Sequence, residues 1–294
     1  MKPNKPWAPF LFAAPALVIF SFAVAVPLLA TVGFSFVEWS GYGPWVFVGI
    51  DNYKELLTDA LFAKSFLNVS FYIAVTLVLE VLVGLCLAGL ISARRGGSLW
   101  FRVALFAPVM LPMVVVAVLW SFVYNPDFGL INGALQNLGL DSWTRIWLGD
   151  PDTALWAIAI VSGWVFSGFF MIIFYAALQQ VPAEFSEAAT LDGANEWRIF
   201  WSVKVPSIRN ALEVGVLLCI TGGFQGFDLF FVLTNGGPYS STEIPTTLLV
   251  RTVFRNAEVG YGSAMAVVLT VIIIVVGLLF LRLRGLNERK GVLA

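Results

Sequence analysis

The stretch SEAATLDGANEWRIFWSVKVPSIRNAL, residues 186–212, decides how the rest of the chain is read. It holds Glu187, Asp192, Glu196, Arg198, Lys204 and Arg209, yet an uncharged apolar stretch precedes it and a mostly apolar one follows. Of 294 residues, 59% are hydrophobic and only 12% charged, against roughly 25% charge in a soluble domain. The composition predicts an all-α polytopic membrane protein, and residues 186–212 are one of its water-facing links.

A helix needs about 20 mainly apolar residues to cross a bilayer. Six stretches qualify, at about 10–36, 66–91, 103–124, 153–178, 211–233 and 261–281. The first, third, fourth and sixth carry no charge, the second carries only Glu80, and the fifth carries Glu213 and Asp228. Lys2, Lys5 and the small residues of AVAVP resemble a signal peptide, but the first apolar run of 27 residues far exceeds a signal core of about 7–15. An uncleaved first helix is expected.

Lysine and arginine placement sets orientation. With the N-terminus inside, twelve basic residues fall inside: Lys2, Lys5, Arg94, Arg95, Arg102, Arg198, Lys204, Arg209, Arg282, Arg284, Arg289 and Lys290. Five fall outside: Lys54, Lys64, Arg145, Arg251 and Arg255. Both termini and the loop at about 179–210 are therefore expected in the cytoplasm, with residues 1–294 forming one transmembrane domain. The outer segments SGYGPWVFVGIDNYKELL and NPDFGLINGALQNLGLDSW read as small lids, and TNGGPYSST as a turn.

Composition excludes several chemistries. A net charge of −1 gives no basic face for nucleic acid. The absence of histidine removes His-based metal sites, Ser-His catalysis and His proton relays from this chain. Cys86 and Cys219 each lie in apolar runs and read as small core residues rather than a disulfide. No G-x-x-x-x-G-K-[ST] phosphate loop occurs. DGANEWR resembles the D-G-x-x-A-R start of lipid phosphatidyltransferases, but no aspartate follows Asp192 until Asp228, so the metal-binding aspartates of that chemistry are missing. A self-sufficient secondary transporter would need its own ion-coupling groups and repeated halves; only Glu80 and Asp228 stand in mid-span and no repeat is visible.

Within the loop, LQQVPAEFSEAATLDG predicts a short helix. Pro182 suits its first turn, Glu184 and Glu187 suit the positive end of its dipole, and Gly193 suits a left-handed stop. A second helical piece, NEWRIFWSVKV, is expected to break at Pro206. Phe185, Ala188 and Ala189 share one side of the first helix. Membrane-lying helices carry basic polar faces and bulky apolar residues, whereas this helix has acids and alanines. That pattern favours docking to a cytoplasmic protein over lying on the bilayer.

EAATLDGANEWRIFWSVKVP resembles the EAA loop of ABC importer permeases: Glu187-Ala188-Ala189, three residues, Gly193, with Val203, Val205 and Pro206 where that family has I-x-L-P. APFLFAAPALVIFSFAVAVPLLATVGFSF with FVGIDNYKELL, then FDLFFVLTNGGPYSSTE with YGSAMAVVL, are similar to the maltose-type carbohydrate permeases. The resemblance implies the type I importer permease fold in a bacterial or archaeal cytoplasmic membrane. It implies a permease without cofactor of its own, ATP and Mg²⁺ being bound by a dimer of partner ATPase subunits. It also implies a second permease, most simply a different chain, an extracytoplasmic substrate-binding protein and a sugar substrate, with glycerol phosphate or a polyol as the alternative cargo. Glu187 and Asp192 would supply polar contacts to the ATPase, and Ala188, Ala189 and Gly193 close packing.

Polar groups inside the spans need partners or a wet cavity. Thr221, Gln225 and Asp228 are spaced by four and three, so one helical face is expected to hold them, with Gly222 among them. In the fourth span, Trp164, Ser167 and Gly168 share a side and Phe169 adjoins it. Aromatic faces beside hydrogen-bonding groups suit a sugar ring; the alternative is interhelical hydrogen bonding with small residues for tight packing. Glu80 is expected to be structural, and Phe34, Phe36 and Trp39 to form an interfacial aromatic belt.

Overall fold

A computed structural model describes residues 8–92 and 98–291. Lys2, Lys5, Arg94 and Arg95 lie outside the described residues, as do the side chains of Arg284, Arg289 and Lys290. Among the described residues, four helices are long and apolar enough to cross a membrane: Phe12–Phe34, Ala60–Ser92, Pro151–Leu178 and Val259–Arg282.

The other two expected spans are broken. Residues 103–124 fall in two helices, Leu99–Met110 and Met113–Val123, bent by 98°. A residue before proline is pushed out of the helical region, and Leu111, preceding Pro112, adopts φ −82°, ψ 140°. The fifth stretch ends as a helix at Gln225, passes through Gly226 (φ −55°, ψ 131°), and resumes as Asp228–Leu233. The freed carbonyl of Gly226 accepts a hydrogen bond from the Thr246 hydroxyl, so the break leaves that half-buried acceptor satisfied.

The described chain divides into two compact units. One comprises residues up to Ala60 with Leu249–Ile274. In it the first helix is exposed along its length and runs into a two-stranded antiparallel hairpin, Val37–Glu38 against Val46–Phe47. The Trp39 carbonyl accepts the backbone N–H groups of Val259 and Gly260, and Asn52 Nδ2 donates to the carbonyls of Ser35 and Val37. Phe34 packs against Trp39 and Phe36 against Tyr53, with ring centroids 4.8 and 5.6 Å apart. The aromatics expected as a belt thus hold the hairpin end of this unit together.

The second unit, Leu61–Leu248 with Val275 onward, is built on the 60–92 and 151–178 helices. Small residues let these backbones approach: a Cβ on Gly84 would lie 2.8 Å from Phe170 Cβ and 2.9 Å from the Ser167 carbonyl oxygen. Val81, Leu85, Ala88, Phe170, Met171 and Phe174 form the core between them, joined by Cys219. Both cysteines are free, Cys219 buried and Cys86 half-buried.

Candidate functional site

A cavity of about 340 Å³ opens among the 60–92, 113–123, 151–178 and 209–233 segments. Its apolar wall is Phe166, Phe169, Phe170 and Phe227. Its polar wall begins on the 60–92 helix, where Tyr72, Thr76 and Glu80 follow each other at intervals of four residues and so lie along one face. Tyr72 Oη donates to Ser162 Oγ at 2.8 Å, and Ser162 Oγ donates to Glu80 Oε1 at 2.7 Å. Tyr72 is 5%, Ser162 1% and Glu80 5% exposed. Thr76 Oγ1 donates to the Tyr72 carbonyl at 3.0 Å.

Of the residues expected along a substrate path, Phe169, Gly222, Gln225 and Asp228 line this cavity. Thr221 does not: its hydroxyl turns back to the Leu217 carbonyl at 2.8 Å. The helix break at Gly226 separates Asp228 from Thr221 and Gln225, so the three do not share one helical face. Trp164 and Ser167 lie outside the lining, and the Trp164 ring meets Trp120 at 5.6 Å. Gly168 serves packing: a Cβ there would lie 1.9 Å from the Leu105 carbonyl oxygen. Glu80, expected as structural, is both structural and part of the wall. The stripe Tyr72–Thr76–Glu80 was the available signal for it; Ser162 carried none, being one serine in an uncharged run.

The polar loop contains the expected helix, Ala183–Leu191. Pro182 precedes it as N-cap, rather than occupying its first turn, with φ −57° and ψ 135°. Gly193 has φ +80°, the left-handed stop that glycine permits; its N–H reaches the Thr190 carbonyl and that of Ala194 reaches Ala189. Glu187, Ala188, Asp192 and Gly193 are exposed and Ala189 half-buried, flanked by Phe185 at 53% and Leu191 at 90% exposure.

The second loop helix starts at Glu196, with Asn195 Oδ1 accepting from the Arg198 N–H at 2.8 Å. It does not break at Pro206. A π-helical turn, Phe200–Lys204, precedes the proline, and the helix continues to Ser207 before Ile208 departs at φ −100°, ψ 19°. Proline lacks an N–H, and a widened turn just before it accommodates the missing bond. Ile199 is buried, and the Phe200 ring lies so close to Gly89 that a Cβ there would be 2.5 Å from it. At the same end of the unit, Arg102 stacks over the Tyr175 ring at 4.8 Å.

Residues 80–290 match the family described as binding-protein-dependent transport system inner membrane component. The chain is 37% identical over 274 residues to the probable ABC transporter permease protein YurN of Bacillus subtilis, covering 92% of this chain and 94% of that one. It is 34% identical over 299 residues to the diacetylchitobiose uptake system permease protein NgcF of Streptomyces coelicolor, covering 95% and 84%. Its fold is similar to a chain of a bacterial ABC transporter that imports the acidic polysaccharide alginate, with TM-score 0.83, 20% identity and 95% coverage of both chains. The chain belongs to the inner-membrane permease family of binding-protein-dependent ABC importers. It is a multi-pass membrane transport subunit and not itself an enzyme.

Proposed function

We propose that this permease, as one domain over residues 1–294, crosses the membrane six times with both termini in the cytoplasm. It forms half of a sugar translocation path beside a second, different permease. The 98° bend and the break at Gly226 are then irregular backbone inside the bundle, tolerated where neighbours resatisfy it. The stacking of Arg102 on Tyr175, next to the loop, supports a shared cytoplasmic end. The exposed flank of the first helix is available to lipid or the partner permease. The alginate importer has been solved with a ligand-bound periplasmic protein, which supports a binding-protein partner here. Relatives named for diacetylchitobiose, starch degradation products and multiple sugars support a carbohydrate cargo.

The observation that carries the reading is the loop helix Ala183–Leu191, stopped at left-handed Gly193 with Glu187, Ala188 and Asp192 exposed. Such a face fits a cleft of a cytoplasmic ATPase. Nucleotide-driven closure of the ATPase dimer, holding ATP and Mg²⁺, would draw two such helices together and bias the cavity between its two openings. The test is sugar uptake in membrane vesicles holding the complete transporter. Uptake is expected to require internal ATP and to persist when ion gradients are collapsed. Uptake driven by an ion gradient without ATP would overturn the proposal.

A further inference from the structure

We propose that the intramembrane cavity selects by charge: it admits neutral, hydroxyl-rich solutes and excludes anionic ones such as sugar acids, sulfonates and phosphates, with its two acidic side chains, Glu80 and Asp228, as the specificity-determining groups. The inference rests on the cavity being the translocation path proposed above. Two carboxyl side chains, Glu80 and Asp228, line it, and among the described residues no lysine or arginine does.

The lining's hydroxyl donors are already committed. Thr76 donates to the Tyr72 carbonyl, Tyr72 to Ser162, and Ser162 to Glu80. The chain of hydroxyls therefore ends on an acceptor at the cavity wall. Asp228 makes no side-chain hydrogen bond or ion pair among the described residues. The Gln225 amide is the side-chain donor left in the lining, and the remaining wall is mostly phenyl rings and glycine. A sugar finds carboxyl oxygens for its hydroxyls and rings for its C–H face. An anion finds two acidic side chains, one of them the exposed Asp228, and one side-chain amide, and a charge without partners is costly to desolvate. At about 6 Å and an effective dielectric near 20, one like-charge contact disfavours occupancy on the order of 100-fold.

The test needs no knowledge of the sugar. Cys86 and Cys219 are the chain's two cysteines, and Gly222 lines the cavity with open space where a Cβ would stand. A Cys86→Ser, Cys219→Ala, Gly222→Cys chain, assembled in the complete transporter in permeabilised membranes, carries one cavity thiol. It is treated with two methanethiosulfonates of similar size, one bearing trimethylammonium and one bearing sulfonate. Each rate is normalised to that of the reagent with free cysteine. The cationic reagent is expected to react at least about tenfold faster, and Glu80→Gln and Asp228→Asn are each expected to shrink that ratio severalfold. If Glu80→Gln fails to insert, Asp228→Asn still carries the test. A ratio near one, a reversed ratio, a ratio neither variant changes, or no labelling by either reagent overturns the proposal. Because labelling needs no ATP, a preserved ratio alongside absent ATP-dependent uptake would refute the importer reading and leave the charge selection standing.

Discussion

Replacing Gly168 with alanine tests whether that glycine packs helices or lines a path. Its added Cβ would stand 1.9 Å from the Leu105 carbonyl oxygen, a backbone atom that no rotamer change can move, and ordinary contact begins at 3.4 Å. The two helices must part by about 1.5 Å, the difference of those distances. Overpacking of this kind costs about 3 kcal/mol, and alanine returns about 1 kcal/mol of helix propensity, leaving a net loss of about 2 kcal/mol. At about 2–4 °C per kcal/mol, the melting temperature of the detergent-solubilised transporter should fall by about 4–8 °C. The control is Gly222→Ala, whose Cβ meets nothing within 4 Å; its melting temperature should stay level or rise. Both are read by fluorescence-detected size-exclusion after heating. A Gly168→Ala protein as stable as Gly222→Ala would refute the close approach and return Gly168 to the substrate-path candidates.

Three further outcomes are expected. Glu187→Lys and Gly193→Pro should abolish uptake and ATPase co-purification while membrane insertion stays normal, because both positions are exposed and Gly193 holds φ +80°; undiminished ATPase capture would exclude this contact. Ser162→Ala removes two hydrogen bonds from a site 1% exposed and should cost about 1–3 kcal/mol, and its thermal shift should combine with that of Glu80→Gln by less than the sum. Gly260→Ala would bring a Cβ within 1.9 Å of the Val37 carbonyl oxygen; a lowered melting temperature is expected, and an unchanged one would show that the hairpin yields freely.

Four of the six expected spans were legible as long apolar helices because an uncharged run of twenty residues has one low-energy use in a bilayer. The loop helix was legible because Gly193 and the acids of its first turns act locally. The breaks were less so. Pro112 marked the third stretch, yet hydropathy weighs composition and ignores the backbone limit on Leu111. Gly226 marked the fifth, but whether a glycine bends a membrane helix depends on a distant donor for its freed carbonyl, here Thr246. That break undid the face expected for Thr221, Gln225 and Asp228. Pro206 misled in the opposite direction, since a π-helical turn absorbed it. The Tyr72–Ser162–Glu80 chain joins residues 90 and 82 positions apart, a pairing created by packing.

The seating of Phe200 against Gly89 gives the loop a fulcrum. The Ala183–Leu191 helix is the free arm, exposed on both flanking apolar residues, while Phe200 pins the other arm to the 60–92 helix. Between Gly89 and Glu80 lie nine helical steps, about 13.5 Å at 1.5 Å per residue. Leu77–Leu82, the turn that carries Glu80, is itself a widened π-helix, a kind of turn found frequently at functional sites. On the function proposed above, a tug on the free arm is passed to the base of a helix whose π-helical turn holds one of the cavity's two carboxyls.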